Sequence, residues 1–230
     1  MKIAIMGAMP EEITPILEKM DSYKTVEYAG NNYYETTYKG IELVIAYSKI
    51  GKVFSTLTAA TMIEHFKAQK LLFSGVAGAI SPKLKVGDLI VATKLAQHDL
   101  DITAFGHPYG FVPEGSVFIE TDKELIEISK NVAKSMNKAV VEGIIATGDQ
   151  FVANEERKNW IGETFNADAL EMEGGSVAVV CNALNIPFFI LRAISDAADM
   201  DAGFSFEEFL ETSAKESAEF VMKMVDRLAD

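Results

Sequence analysis

Short apolar runs alternate with stretches of helical spacing along most of the chain, and this alternation predicts an α/β fold. The runs suit buried strands and cover residues 2–6, 33–38, 41–47, 70–73, 88–92, 139–147, 169–172 and 187–194. Helical spacing covers residues 52–66, about 122–136, a short helix capped by Asn154, 175–184 and a stripe behind Ser205.

A predicted hairpin between two of these strands indicates that the sheet is mixed rather than fully parallel. Lys39-Gly40 separates two of the strand-like runs and is a turn signal, so these two strands are antiparallel. The expected fold is therefore a three-layer α/β sandwich, with a mixed central sheet flanked by helices. Linkers, repeats and low-complexity segments are absent from the sequence, which predicts one domain over residues 1–230.

Several shorter signals complete the local prediction. The segment 75–78 (Gly-Val-Ala-Gly) is predicted to be a tight strand-to-helix turn. This turn could bring backbone amides close to a ligand or could serve only close packing. Capping boxes that begin at Thr121 and Ser205 predict two helix starts. Residues 98–113 lack periodicity and indicate a long functional loop.

Composition and charge narrow the function. The chain has 230 residues, 49% of them hydrophobic, and its 34 acids against 21 bases give a formal net charge of −13. Such an acidic protein is a poor partner for nucleic acid or an anionic membrane. Cys181, the single cysteine, excludes a disulfide framework and is expected to be a buried hydrophobe. We expect a cytoplasmic protein.

Acidic residues occur where three of the predicted strands end. Glu12 follows the first strand, Glu173 follows the run ending at residue 172, and Asp196 follows the last strand. Ligands bind at this edge of open α/β sheets, so we expect acid/base chemistry on a polar, neutral small molecule. Each acid also has a structural alternative: a solvated acid favoured by the helix dipole for Glu12, a helix N-terminal acid for Glu173, and an ion pair with Arg192 or a cap for Asp196.

Two further features have open interpretations. Phe151, at a predicted strand end, could stack on a planar base or could belong to the core. The group His98, Asp99 and Asp101 is metal-like in spacing but has no second soft ligand, so we expect no metal there.

Taken together, these segments resemble the methylthioadenosine/S-adenosylhomocysteine nucleosidases of the purine nucleoside phosphorylase superfamily. The similarity extends from Met1 to the last helix. Its matching segments are 7–12, 48–53, 75–78, 99–106, 148–151, 171–173, 192–196 and 205–209. The resemblance implies a nucleoside phosphorylase-like fold and hydrolysis of the bond between adenine and a 5′-substituted ribose, as in methionine salvage. It implies no cofactor and no metal.

The resemblance also implies roles for individual residues. Asp196 would protonate the purine N7, Glu12 would activate the attacking water, and Glu173 with Met172 would hold the ribose hydroxyls. Phe151 would stack on the adenine, whose edge the Val152 backbone would read. The other expected substrate contacts are Met9, Ile50, Val76, Ala77, Gly78, Arg192, Ser195 and Phe206. The residues expected to come from the neighbouring subunit of a homodimer are Ile102, Phe105, His107 and Pro113.

Two positions distinguish a branch within this family. Val76 stands where many members have serine, and His107, followed by Pro108, stands where others often have tyrosine. At both positions the chain resembles the branch of the family that also cleaves aminodeoxyfutalosine, an intermediate in an alternative route to menaquinone.

Two other functions stay open from the sequence. A purine nucleoside phosphorylase would need a cationic phosphate site, whereas Glu11 and Glu12 follow the N-terminal glycine turn and the first arginine is Arg157. A non-catalytic nucleoside-binding domain could use the same pocket without turnover.

Overall fold

The computed structural model describes residues 1–199 and 201–229. In this part of the chain ten strands and six α-helices alternate, together with a short 3₁₀ helix at Thr103–Phe105. The strands are β1 (Lys2–Gly7), β2 (Lys24–Tyr28), β3 (Asn31–Tyr38), β4 (Ile41–Tyr47), β5 (Lys70–Ala79), β6 (Leu89–Gln97), β7 (Ile119–Glu120), β8 (Val140–Thr147), β9 (Ala169–Glu171) and β10 (Phe188–Asp196). The helices are α1 (Pro10–Leu17), α2 (Lys52–Glu64), α3 (Lys123–Ser135), α4 (Glu155–Phe165), α5 (Gly174–Ala183) and α6 (Ala202–Ala229).

The strands form one mixed sheet, as predicted. Its order is β10-β6-β8-β9-β5-β1-β4-β3-β2, and β7 pairs with β6. β1 is parallel to β4 and β5, whereas the predicted hairpin of β3 and β4 is antiparallel. β10 also pairs with β5, so the pairings of β5, β10, β6, β8 and β9 form a closed ring that the sequence did not indicate.

Helices cover both faces of the sheet because side chains alternate along the strands. In β1, Ile3 and Ile5 join the cluster that α1, α3 and α6 cover, and Ala4 and Met6 join the cluster that α2 and α5 cover. The three-layer arrangement is thereby confirmed. Within the described residues, no helix combines the length and the apolar character needed to cross a membrane.

The glycine-rich segment 75–78 is a correction to the sequence-based prediction. It is not a turn, because β5 continues through it to Ala79. Glycine is needed there for space: a β-carbon at Gly75 would lie 2.9 Å from Oε1 of Glu12, and one at Gly78 would lie 2.7 Å from Oδ1 of Asp196. Glycines in a strand can mark a close approach by other groups, and this is such a case.

The two predicted capping boxes are wrong in position. The side chain of Asp122, not that of Thr121, caps α3 and accepts from the Leu125 N–H at 2.9 Å. α6 already begins at Ala202, and the backbone N–H of Ser205 bonds to the carbonyl of Asp201 at 3.0 Å, so Ser205 lies inside the helix. The predicted cap at Asn154 is confirmed, since its side chain accepts from the Arg157 N–H. β2 was not predicted at all.

Candidate active site

The three predicted acids meet in one pocket of about 280 Å³ at the carboxyl ends of β1, β5, β9 and β10. The lining residues that the sequence predicted are Met9, Glu12, Ile50, Val76, Ala77, Gly78, Phe151, Val152, Met172, Glu173, Ser195, Asp196 and Phe206. The lining residues that it missed are Ala8, Gln150, Leu170 and Glu171. Segments far apart in the chain therefore build a single site.

Glu12 is fully enclosed rather than solvated, with 2% of its surface exposed. Its Oε2 accepts from the backbone N–H groups of Ala8 at 2.5 Å and Met9 at 3.1 Å, and its Oε1 accepts from that of Val76 at 3.1 Å. Burial raises the pKa of Glu12, although the positive charge of Arg192 and these backbone donors oppose the rise. Oε1 keeps one lone pair for a further donor.

Glu173 follows β9 and is also buried. Its Oε1 accepts from the backbone N–H of Gly51 at 2.8 Å. Burial, together with the negative charge of Glu171, raises the pKa of Glu173 to about 8. The carboxyl group of Glu173, with one oxygen partly occupied, keeps acceptor capacity for hydroxyl groups on a ligand.

Asp196 is the last residue of β10 and lines the same pocket. Its Oδ2 accepts from the Ser195 hydroxyl at 2.9 Å, and its Oδ1 accepts from the Ala198 N–H at 2.8 Å. Burial raises the pKa of Asp196 despite these two donors. An aspartate in such surroundings suits the role of a general acid.

Arg192 is placed away from the pocket surface, although the resemblance implied a substrate contact. Its Nη2 lies 2.7 Å from Oε2 of Glu171, its guanidinium packs 4.0 Å from the centre of the Phe73 ring, and only 1% of it is exposed. The ion pair that the sequence allowed between Arg192 and Asp196 is therefore made with Glu171 instead.

Glu171 is the most connected residue that sequence reasoning missed. Besides Arg192, its carboxylate accepts from the Thr147 hydroxyl and from the backbone N–H groups of Glu173 and Gly174, at 3.2 and 2.7 Å. The pattern Glu-Met-Glu contained the signal: two acids two residues apart at a strand end share one face, and each needs its own partners when both are buried.

Other residues that line the pocket are apolar and aromatic. Phe151 and Phe206 meet edge to face, with ring centres 5.6 Å apart, and Met9 and Ile50 also line the pocket. Phe151 is 46% exposed in this structure, so it is not a core residue. A half-exposed aromatic ring at the mouth of a pocket is available for stacking on a planar ligand.

The four residues expected from a neighbouring subunit lie outside this pocket, on the loop that follows β6. Phe105 is 80% exposed, and the His107 ring stacks on Phe111 with centres 4.4 Å apart. Contact of these four residues, Ile102, Phe105, His107 and Pro113, with the site of another subunit stays a prediction. Across the described part of the chain, no three His, Cys, Asp or Glu side chains come together as a metal-binding group.

With this geometry in place, comparison with known proteins assigns the class. The chain belongs to the phosphorylase superfamily, whose family profile matches residues 2–226. This confirms the superfamily that the sequence motifs indicated.

Relatives narrow the class further. An aminodeoxyfutalosine nucleosidase of Campylobacter jejuni is 60% identical over 228 residues, which cover 99% of this chain and all of that protein. The native futalosine hydrolase of Helicobacter pylori is 51% identical with a TM-score of 0.97, covering 98% of this chain and 97% of that chain. A mutant methylthioadenosine/S-adenosylhomocysteine nucleosidase from Helicobacter pylori, with 5′-methylthioadenosine in its active site, is 52% identical with a TM-score of 0.97, and 98% of each chain is covered.

Proposed function

We propose that this chain is a nucleosidase that hydrolyses the N-glycosidic bond of aminodeoxyfutalosine, 5′-methylthioadenosine and S-adenosylhomocysteine, releasing adenine. Relatives named for these activities match the chain over nearly its whole length. Such an N-glycosyl hydrolase would serve menaquinone biosynthesis through the first substrate and methionine salvage through the others.

One observation favours water over phosphate as the nucleophile. The backbone N–H groups of Ala8, Met9 and Val76 converge as an anion-binding site would, and the carboxylate of Glu12 already occupies them. A phosphate would have to displace this buried carboxylate. Arg192 offers no compensation because its charge is paired with Glu171. The site therefore supports a hydrolase rather than a phosphorylase.

Asp196 can act as the general acid of the reaction and Glu12 as its general base. As the bond between C1′ of the ribose and N9 of adenine breaks, the Asp196 carboxyl gives its proton to N7, and adenine leaves as a neutral base. A water molecule held by the free lone pair of Glu12 Oε1 attacks C1′ and gives a proton to Glu12. The sugar gains the hydroxyl, and the proton returns from Glu12 to Asp196 through solvent. The raised pKa values of Asp196 and Glu12 suit donation by one and acceptance by the other.

Substrate binding follows from the rest of the pocket. Phe151 would stack on adenine, and Glu173 would accept hydrogen bonds from the ribose hydroxyls. The buried carboxylate of Glu12 near the sugar also stabilises the positive charge that develops on it in the transition state. Met9, Ile50 and Phe206 give an adaptable apolar surface for the 5′ group.

We propose a homodimer in the cytoplasm. Val53, Phe54 and Leu57 project from α2 with 76%, 45% and 44% of their surfaces exposed, and Phe105 is exposed on the loop after β6. Exposed apolar surface of this kind is typical of a protein interface. Light scattering at micromolar concentration should give twice the chain mass, and an active monomer would contradict the dimer.

A panel assay tests the proposed activity. Adenine or purine release is measured from aminodeoxyfutalosine, 5′-methylthioadenosine, S-adenosylhomocysteine and inosine, each with and without phosphate. We expect release from the first three that does not depend on phosphate. Phosphate-dependent release would establish a phosphorylase, and tight binding of all adenine nucleosides without release would establish a binding domain.

A further inference from the structure

Beside the pocket, three side chains that do not line it form a compact ionic cluster. Oδ1 of Asp99 lies 2.6 Å from Nζ of Lys52, and Oδ2 of Asp99 accepts from the backbone N–H of Asp149 at 2.8 Å. The side chains of Lys52 and Asp99 are only 18% and 25% exposed. This contact is more than a surface ion pair, because the Asp99 carboxylate joins two segments, at Lys52 and Asp149, that are 97 residues apart in the sequence.

Asp149 closes the cluster from the other side. Its Oδ1 accepts from the backbone N–H of Lys52 at 2.7 Å, at the first residue of α2. The N-cap of α2 is Gly51, which has no side chain to cap the helix. A carboxylate from a distant segment therefore supplies the cap and the negative charge that a helix N-terminus favours.

The two segments joined by this cluster carry different halves of the site. Next to Lys52, the backbone N–H of Gly51 donates to Oε1 of Glu173 at 2.8 Å. Two residues beyond Asp149, Phe151 lines the pocket. The cluster thus lies between the group that would hold the ribose and the ring that would stack on the base.

We propose that Asp99 is a positioning residue which, together with Asp149, fixes the separation between the ribose-binding Glu173 and the base-stacking Phe151. The proposal rests on the proposed function, because it uses the roles assigned there to Glu173 and Phe151. Cleavage requires base and ribose to be held at once in one geometry, so a shift between the two halves affects catalysis more than it affects binding of either half alone.

The charge state of Asp99 supports this role. Partial burial by itself would raise the pKa of Asp99, but hydrogen bonds from Lys52 and from the Asp149 N–H, together with the charge of Lys52, hold it below its usual value. Asp99 is therefore ionised at neutral pH, and both of its oxygens act as acceptors. An amide at this position could satisfy only one of the two donors, since its NH₂ group would face the other.

The test is the variant Asp99→Asn, measured on 5′-methylthioadenosine and on adenine. We expect kcat/KM for the nucleoside to fall by about 10- to 100-fold, as for a small misplacement of reacting groups. The Kd of adenine should be unchanged, because the segment that carries Phe151 keeps its own fold. Asp149→Ala removes the acceptor for the Lys52 N–H. It should likewise lower kcat/KM for the nucleoside and leave the Kd of adenine unchanged.

A matched control is available on the far side of the molecule. Asp226 accepts from Tyr38 and lies 2.7 Å from Nζ of Lys39, and its side chain is 21% exposed, so Asp226→Asn removes a similar carboxylate away from the site. This variant should change neither kcat/KM nor the Kd of adenine.

The outcomes separate the possibilities. Unchanged kcat/KM in Asp99→Asn would overturn the positioning role. So would a fold-loss of adenine affinity equal to the fold-loss of kcat/KM, accompanied by a lower thermal unfolding midpoint. If Asp99→Asn does not fold, Asp149→Ala decides by the same two criteria. A wild-type chain that releases no adenine would instead refute the proposed function.

Discussion

Gly78 and Asp196 are register partners on the paired strands β5 and β10, and the Asp196 carboxyl lies where a side chain at position 78 would begin. A β-carbon at Gly78 would lie 2.7 Å from Oδ1 of Asp196 and 3.2 Å from the β-carbon of Ala198. The close approach of the Asp196 carboxyl to the backbone of β5 therefore makes glycine a requirement for placing the acid in the pocket.

Gly78→Ala should displace the Asp196 carboxyl and lower kcat by up to about 10²-fold, because a shift of the acid by about 1 Å is sufficient for such a loss. Steady-state adenine release measures the effect. Gly203→Ala is the control, since a β-carbon there meets nothing within 4 Å. Full activity of Gly78→Ala would show that the contact can relax without cost.

Asp196→Asn should abolish turnover and leave nucleoside binding largely intact, because an amide has no acidic proton to give to the purine. Loss of a general acid lowers the rate by about 10²- to 10⁴-fold. Single-turnover kinetics and ligand titration measure the two effects separately. A variant with a rate near that of the wild type would show that another group is the acid.

Glu12→Gln should also reduce hydrolysis strongly, because the neutral amide cannot take a proton from water. Its NH₂ group would in addition face backbone donors that now point at carboxylate oxygens. Binding of inhibitors that mimic the transition state should survive. If added phosphate restored purine release in this variant, the phosphorylase alternative would return.

The ligand-free protein should become less stable between about pH 4.5 and 8. The ordinary pKa of glutamate is 4.5, and that of Glu173 in the folded state is about 8, so the folded state holds a proton that the unfolded state has lost. The stabilising contribution is complete below pH 4.5 and disappears as pH rises through 8. Thermal unfolding midpoints across this range measure it, and Glu173→Gln should flatten the curve; an equally steep curve in the variant would place the effect on other groups.

His107→Tyr should lower kcat/KM for aminodeoxyfutalosine more than for 5′-methylthioadenosine. The residue lies on the exposed loop predicted to cover the 5′ end of the substrate in a neighbouring subunit, and histidine can carry a charge that attracts an anionic 5′ group. Competition assays with both nucleosides measure the ratio. Equal losses on the two substrates would refute this role of His107 and leave the nucleosidase assignment unchanged.

Local sequence determined much of the fold and the identity of the acids. Strand periodicity, the Lys39-Gly40 turn and the cap at Asn154 depend on neighbouring residues, and the structure contains each of them. Glu12, Glu173 and Asp196 were predictable because each lies at or just after the end of an apolar strand, and ligands bind at the carboxyl ends of the strands in open α/β sheets.

Tertiary structure decided what depends on distant partners. Segment 75–78 continues β5 because it pairs with β10 and β9, and its glycines leave room for Glu12 and Asp196. No local pattern shows which strands and side chains will approach it. The ion pair of Glu171 with Arg192, 21 residues away, and the cap that Asp149 gives to α2, 97 residues away, follow from the packing of distant segments. Sequence periodicity fixes which face a side chain points to, but only the assembled sheet fixes which side chain it meets.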